Sequence, residues 1–333
     1  MSALYEFVSE NYQVWDSCEL LATDSIHITE IWMHHASQKM ITSHRRVSNN
    51  HIDAWLNQTS EGSNEESTSL LRLVWVEFQH MEKVQHISPT ILDALLINFH
   101  IELAYKWNWT CYAGSTKFSN THSSNRSLFS YSVCNHPKFA TAWSYDVSTG
   151  LTQGIYFAPS SQIPELQNLV QSLEDIAGHP MLPALVFGIS LSGLVNQNHE
   201  TTKENVRTVE VRTKFHSWTS RNEAPAEGDY LSLSAMTAGA KTKIANLCRK
   251  TKVLLDLCDF VEGNLHPVGV DEKIPYSFSL WGSTTDIVSL ADEYTRVLRK
   301  RTMLQEADVK FFQHRADIQI QSVCIRCMPI SLY

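Results

Sequence analysis

The run Leu151-Thr152-Gln153-Gly154-Ile155-Tyr156-Phe157-Ala158-Pro159, continued by Ser160 to Gly178, is where the hydrophobic period of the chain changes. As far as Phe157 the residues are those of a strand, aromatic and β-branched, preceded by the turn Val147-Ser148-Thr149-Gly150. Beyond Pro159, Leu166, Leu169, Leu173 and Ile176 recur at helical spacing, and the spacing predicts a helix that closes near Gly178. The change divides the whole chain. Strands and helices precede it; helices alone follow.

Upstream, Leu70-Leu71-Arg72-Leu73-Val74-Trp75-Val76-Glu77-Phe78 reads as a strand bounded by polar segments. Ser88-Pro89-Thr90 opens a helix, with Ser88 as cap, Pro89 in the first turn and Ile91, Leu95, Leu96 and Phe99 as its apolar face. Ser127 to Cys134 and Phe139 to Asp146 read as two more strands, the second turning back into Leu151 to Phe157 as a hairpin. The first 69 residues are weakly patterned, with apolar clusters at Ile26 to Met33 and Ile52 to Leu56 and a polar loop from Asn57 to Ser69.

Downstream, His179-Pro180 restarts the chain, and one long helix is expected from Met181 to about Phe215. A second runs from about Tyr230 to Leu265 with Leu247, Leu254, Leu257 and Val261 on a stripe. A third runs from about Thr284 to Ile325 and carries Ile287, Leu290, Tyr294, Val297, Leu304, Phe311 and Ile318. At 1.5 Å per residue a helix of roughly 40 residues is about 60 Å long, which calls for other helices alongside it as a stalk or bundle. The fold expected is therefore α/β (α+β): an N-terminal domain with a mixed sheet and flanking helices, then long C-terminal helices. The divisions are 1–69, a variable segment; 70–220, the α/β domain; 221–325, the helical stalk or bundle; and 326–333, a tail.

Composition narrows the function. Of 333 residues, 43% are hydrophobic and 19% charged, enough to bury a sizeable core. A formal charge of -8 argues against nucleic acid as a partner. Met1 to Val14 lacks the basic and continuous apolar regions of a signal peptide. The longest apolar stretch, Met181 to Val195, is broken by Pro183, Gly188, Ser190, Ser192 and Gly193 and is too short to span a bilayer. Seven cysteines (18, 111, 134, 248, 258, 324 and 327) then read as reduced thiols in a cytoplasmic protein.

Three segments together carry a resemblance. His179-Pro180-Met181-Leu182-Pro183-Ala184-Leu185 opens a helix closing on Val206-Arg207-Thr208-Val209-Glu210-Val211-Arg212-Thr213. Ala142-Trp143-Ser144-Tyr145-Asp146 stands upstream with Thr152-Gln153-Gly154-Ile155. Phe312-Gln313-His314-Arg315-Ala316-Asp317-Ile318-Gln319-Ile320-Gln321-Ser322-Val323 stands downstream. This order resembles the cytosolic domain and stalk helix of the fungal CorA-like metal (Mg2+) transporter family, over roughly residues 70 to 325. In that family the stalk leads into two membrane helices joined by a Gly-Met-Asn loop, and a pentamer forms the pore. Here Val323 is followed by Cys324-Ile325-Arg326-Cys327-Met328-Pro329, the chain stops at Tyr333, and no Gly-Met-Asn occurs. The resemblance thus implies the soluble half of such a protein, either a truncated transporter or a free-standing domain, non-conducting by itself.

Two carboxylate patterns could carry chemistry. Asp256, Asp259 and Glu262 share a helix face, and carboxylate oxygens suit Mg2+; the plainer reading is a solvated acidic face opposite Leu254, Leu257 and Val261. Thr285, Ser289 and Glu293 stand at i, i+4 and i+8. They look like the second metal motif of class I terpene cyclases with Thr285 in place of its leading Asn or Asp, and Arg296, Arg299 and Lys300 would be diphosphate partners. The plainer reading there is a helix start capped by Thr284 or Thr285 with Asp286 in its first turn. Cys324-Ile325-Arg326-Cys327 is a lone C-x-x-C without a second ligand pair. His179 reads as a residue that sets a helix start. The leading expectation is a non-catalytic CorA-like domain that forms a homo-oligomer through its long helices and binds divalent cations weakly. The alternative is a Mg2+-dependent lyase acting on a prenyl diphosphate.

Overall fold

The computed structural model describes residues 18–37, 39–58, 67–79, 82–120, 128–136, 139–213, 230–266 and 284–327. Its chain forms two compact units, one of residues 1–188 with 256–296 and one of 189–255 with 297–333. The first holds a mixed sheet with flanking helices and the second only long helices.

The sheet is organised on β4 (Ser67–Gln79). Residues 70 to 76 are all at 3% exposure or less, as a strand covered on both faces requires. On one edge β4 pairs in parallel with β9 (Leu151–Ala158), which continues antiparallel into β8 (Phe139–Asp146), β7 (Leu128–Asn135) and β6 (Ala113–Asn120). On the other edge β4 pairs antiparallel with β2 (Ser25–His34), which pairs with β3 (Lys39–Ser48). Two short strands, β1 (Glu19–Leu20) and β5 (Val84–Gln85), pair with each other, and β5 pairs with the end of β4.

Alternate residues of β4 face different partners. Val74, Val76 and Phe78 join Ile28, Ile155 and Phe157 in a core roofed by α2 (Pro89–Phe99) and α3 (Glu102–Asn108) through Leu95, Phe99, Tyr105 and Trp109. Trp75 faces the opposite way and packs on Tyr156, ring centroids 5.0 Å apart. On the β8–β9 strands the Trp143 indole donates to the Pro180 carbonyl (2.7 Å) and the Tyr156 hydroxyl to that of Pro183 (3.0 Å). The predicted hairpin is present, with Gly150 at φ 72° closing the turn on the Asp146 carbonyl.

Several expectations shift in detail. The segment 1–69 is not a separate variable region: β2 lies against β4. Its polar residues are buried because each is bonded. The Trp75 indole donates to Thr29, and Glu30 accepts from Trp55 (2.8 Å) and Arg45 (2.7 Å) beside the buried Arg72. A short helix, α1 (Ile52–Leu56), brings Trp55 there. The helix after Pro159 is shorter than its periodicity suggests. A 3-10 turn leads into α4 (Ile163–Ser172), and a second 3-10 turn over Glu174–Ile176 follows a break at Leu173. In this tighter winding Leu173 and Ile176 fall on one face, and both are buried. Ser88 is extended before Pro89, but its side chain makes no capping bond; its carbonyl accepts from Leu92 instead.

The three long helices are α5 (Leu182–Thr213), α6 (Tyr230–Glu262) and α7 (Thr284–Cys327). Each contributes a segment to both units, so the compact units do not divide at residue 220. Among the described residues no helix is long and apolar enough to cross a membrane.

Candidate functional site

In the helical unit, α7 presents two adjoining stripes of opposite character. Leu298, Thr302, Gln305, Val309, Phe312, Ala316 and Gln319, spaced alternately four and three apart, are buried. This is the heptad seam of a packed bundle, and it holds two glutamines and a threonine. Gln305 donates to the Ser192 carbonyl (3.0 Å) and to Asn196 (2.5 Å), Gln319 accepts from Thr213 (2.6 Å), and the Phe312 ring lies 4.9 Å from that of His199. These pairings run in the same order along α5 and α7, so the two helices are parallel there. Lys241 of α6 meets Asp317 at 2.8 Å.

One residue back on the same helix, Val297, Leu304, Phe311 and Ile318 stand seven apart and are 61, 59, 57 and 40% exposed. Periodicity alone selects this stripe as the apolar face of the helix. The unit buries the next one, because α5 offers amide and hydroxyl partners to it.

Farther along the seam, the segments 206–213 of α5 and 312–323 of α7 meet. The buried Glu210 of the α5 segment forms a two-pronged ion pair with the half-buried Arg315 of the α7 segment: the Arg315 Nε donates to Oε1 at 2.7 Å and a terminal nitrogen donates to Oε2. Its guanidinium also lies over the Phe312 ring, 4.9 Å from the centroid. Thr213 and Gln319 are bonded, and Val206, Val209 and Ala316 are buried.

In the sheet unit His179 is buried, with Nδ1 accepting from the Met181 amide (3.1 Å) and Nε2 donating to the Leu265 carbonyl (3.1 Å). Both nitrogens are thereby committed to the neutral ring. Burial, with some opposition from the Leu265 bond, lowers its pKa to about 4. It positions the start of α5 and is unsuited to proton transfer near neutrality.

Asp256, Asp259 and Glu262 lie on an exposed face of α6, with Leu254, Leu257 and Val261 buried opposite. Ser289 and Glu293 are exposed on α7, and Thr285 belongs to that helix, its side chain lying outside the described residues. Arg296 is engaged by Asp292 of its own helix at 3.0 Å, Arg299 is half-buried and Lys300 exposed. Among the described residues no group of three or more His, Cys, Asp or Glu side chains could hold a metal ion. The side chains of Cys324 and Cys327 lie outside the described residues.

Sequence reading passes over one recess. A cleft of about 500 Å³ lies where β4 and β9 end and α4 begins, lined among others by Asp24, His27, Arg46, Glu77, His86 and Ser160. Arg46 Nε donates to His27 Nε2 at 3.1 Å. Burial first, then the Arg46 charge, lowers the His27 pKa, with Glu77 opposing. A ring tied up in this way is a poor general acid, and the cleft sets cationic and acidic groups side by side. Its lining comes from five separate segments, which no local motif announces.

No known family's profile matches the chain, and no curated protein matches it. Among solved structures, that of the full-length CmaX protein matches with 11% sequence identity, covering 91% of this chain and 81% of that one, at a TM-score of 0.35. A similarity that loose supports no argument about fold or function.

Proposed function

We propose that this protein is a non-catalytic CorA-like domain, cytoplasmic and non-conducting by itself, that acts as an interaction module by pairing with a second copy along α7. The observation that carries this reading is the stripe Val297, Leu304, Phe311 and Ile318. It runs over 22 residues, Val297 to Ile318, about 31 Å of helix. A seven-residue apolar repeat keeps its side chains in one row along the helix, one of the two rows that make a helix–helix seam. Its natural complement is the same stripe on another copy, because a two-fold interface presents one surface twice. The CorA-like part of the reading is supported by the interlocking of its separate sequence segments through Glu210, Arg315, Thr213 and Gln319.

Sedimentation equilibrium tests it. The full chain is expected to self-associate, and Leu304→Glu with Phe311→Glu to give a monomer with an unchanged circular dichroism spectrum. A wild-type monomer at high micromolar concentration would end the proposal. Divalent cation binding belongs to the same reading only in its weak form, a hydrated Mg2+ held by one or two carboxylates of the Asp256, Asp259 and Glu262 face. A rise in Tm with millimolar Mg2+ that Asp256→Asn with Asp259→Asn removes is expected. The prenyl diphosphate reading makes the opposite demand, a hydrocarbon product that depends on Mg2+ and is lost in Glu293→Ala; we expect none.

A further inference from the structure

Cys111 and Cys134 belong to neither the α7 stripe nor the cleft. Cys111 follows α3, and Cys134 lies on β7 opposite Gly114 of β6. Both are free thiols, and their sulfurs are 3.3 Å apart. Cys134 is fully buried in the core beneath α3, whereas Cys111 is half-buried at its margin. Each thiol also has a carbonyl within reach, Cys111 that of Trp107 (3.6 Å) and Cys134 that of Cys111 (3.7 Å).

We propose that Cys111 and Cys134 form a reversible oxidation site, a dithiol that hydrogen peroxide closes into an intrachain disulfide and a small thiol such as glutathione reopens. The sulfurs must approach from 3.3 Å to about 2.05 Å. Cys111 sits outside any helix or strand, so its end of the bridge is not held by a ladder or helix bond.

The pair is asymmetric in the way such chemistry needs. The hydrogen bond from Cys134 holds the Cys111 thiol below its ordinary range against the effect of burial. Cys134 is pushed well above its ordinary range by that same bond and by burial. Cys111 is the attacking thiolate and the more accessible sulfur. It attacks one peroxide oxygen, the O–O bond breaks, and the departing hydroxide takes a proton to become water, leaving a sulfenic acid on Cys111. Cys134 then gives up its proton and attacks the Cys111 sulfur. The S–O bond breaks, and the hydroxide released takes that proton as a second water. Two thiols and one peroxide yield one disulfide and two waters. Two equivalents of glutathione restore the thiols and leave as glutathione disulfide.

The bond would tie the segment that follows α3, next to the core residues Tyr105 and Trp109, to the open end of the β6–β7 pair, where β6 begins and β7 ends. It is tested on the reduced full-length chain treated with hydrogen peroxide, alkylated, and digested without reductant for mass spectrometry. The expected result is a cross-linked peptide pair joining Cys111 to Cys134. It should disappear on adding dithiothreitol and be accompanied by a Tm increase of a few degrees. Cys111→Ser, a change at the half-buried position, should abolish both. The proposal fails if both cysteines remain open to alkylation after oxidation, if cross-linking is confined to other cysteines such as Cys324 and Cys327, or if Cys111→Ser keeps the Tm increase.

Discussion

Along β4 of the sheet unit most of the buried residues are apolar. Leu70, Leu71, Leu73, Val74 and Val76 are all interior, and the buried Arg72 lies beside the buried Glu30. In the helical unit apolar character and burial part company on a single helix. Gln305 and Gln319 are interior, while Leu304 and Phe311 on the adjoining stripe face out. The Leu and Val positions of β4 are filled by dispersion and hydrophobic burial, which ask only for volume and apolarity. A buried glutamine is tolerated only where each polar atom meets a partner of fixed position, so the helical seam has register built into it. An exposed apolar stripe beside such a seam contributes little to the fold of one chain and is available to another.

The largest effect expected to break this comparison is Arg315→Ala. It leaves the Glu210 carboxylate buried without its counter-charge, which costs about 3–5 kcal/mol, and urea denaturation should show it. If replacing both members by apolar residues recovers most of that loss, the pair sets register more than it stabilises. A pH titration of the urea midpoint reads the sheet unit through His179. Its pKa is lowered from 6.5 to about 4, so the unfolded chain takes up the proton first. The stability it contributes is complete above pH 6.5, falls as pH drops from 6.5 to about 4, and is gone below, a loss of about 3 kcal/mol. His179→Gln should flatten that portion of the profile.

Gly154→Ala sharpens the contrast in packing. A Cβ there would lie 2.5 Å from the Trp143 Cβ and 2.7 Å from the Ala142 carbonyl oxygen. The strands β8 and β9 must separate to admit it, and overpacking of this kind costs about 1–3 kcal/mol. The smallest effect is Leu304→Ala. At concentrations where the chain is monomeric it should change the unfolding free energy by no more than about 0.5 kcal/mol, and it should weaken self-association when the concentration is raised. A loss of several kcal/mol in the monomer would mean that the stripe is part of the fold after all.

Local order was readable where one force dominates. The strand at Leu70–Phe78, the hairpin at Gly150 and the starts of α2, α5, α6 and α7 follow from apolar runs, a glycine turn and Pro or His-Pro punctuation. The strands β2 and β3 were not readable, because Lys39–Ser48 has a single buried residue, Val47, and β2 carries His27, Thr29 and Glu30. Those polar residues belong in a strand only because Trp75, Trp55 and Arg45 come to meet them. The candidate site divides in the same way. The spacing of Val297, Leu304, Phe311 and Ile318 was legible, but its exposure was not, and the cleft around His27 and Arg46 left no local trace.

By itself, then, the sequence determined the division into a mixed-sheet part and a long-helix part, because the period of two and the period near three and a half are set by backbone geometry within a few residues. Which stripe of α7 turns inward was decided only in three dimensions, by Ser192, Asn196, Glu210 and Thr213, partners more than 100 residues away along the chain. A heptad helix offers adjoining stripes of nearly equal claim, and only the hydrogen-bond donors, acceptors and charges of its neighbours choose between them.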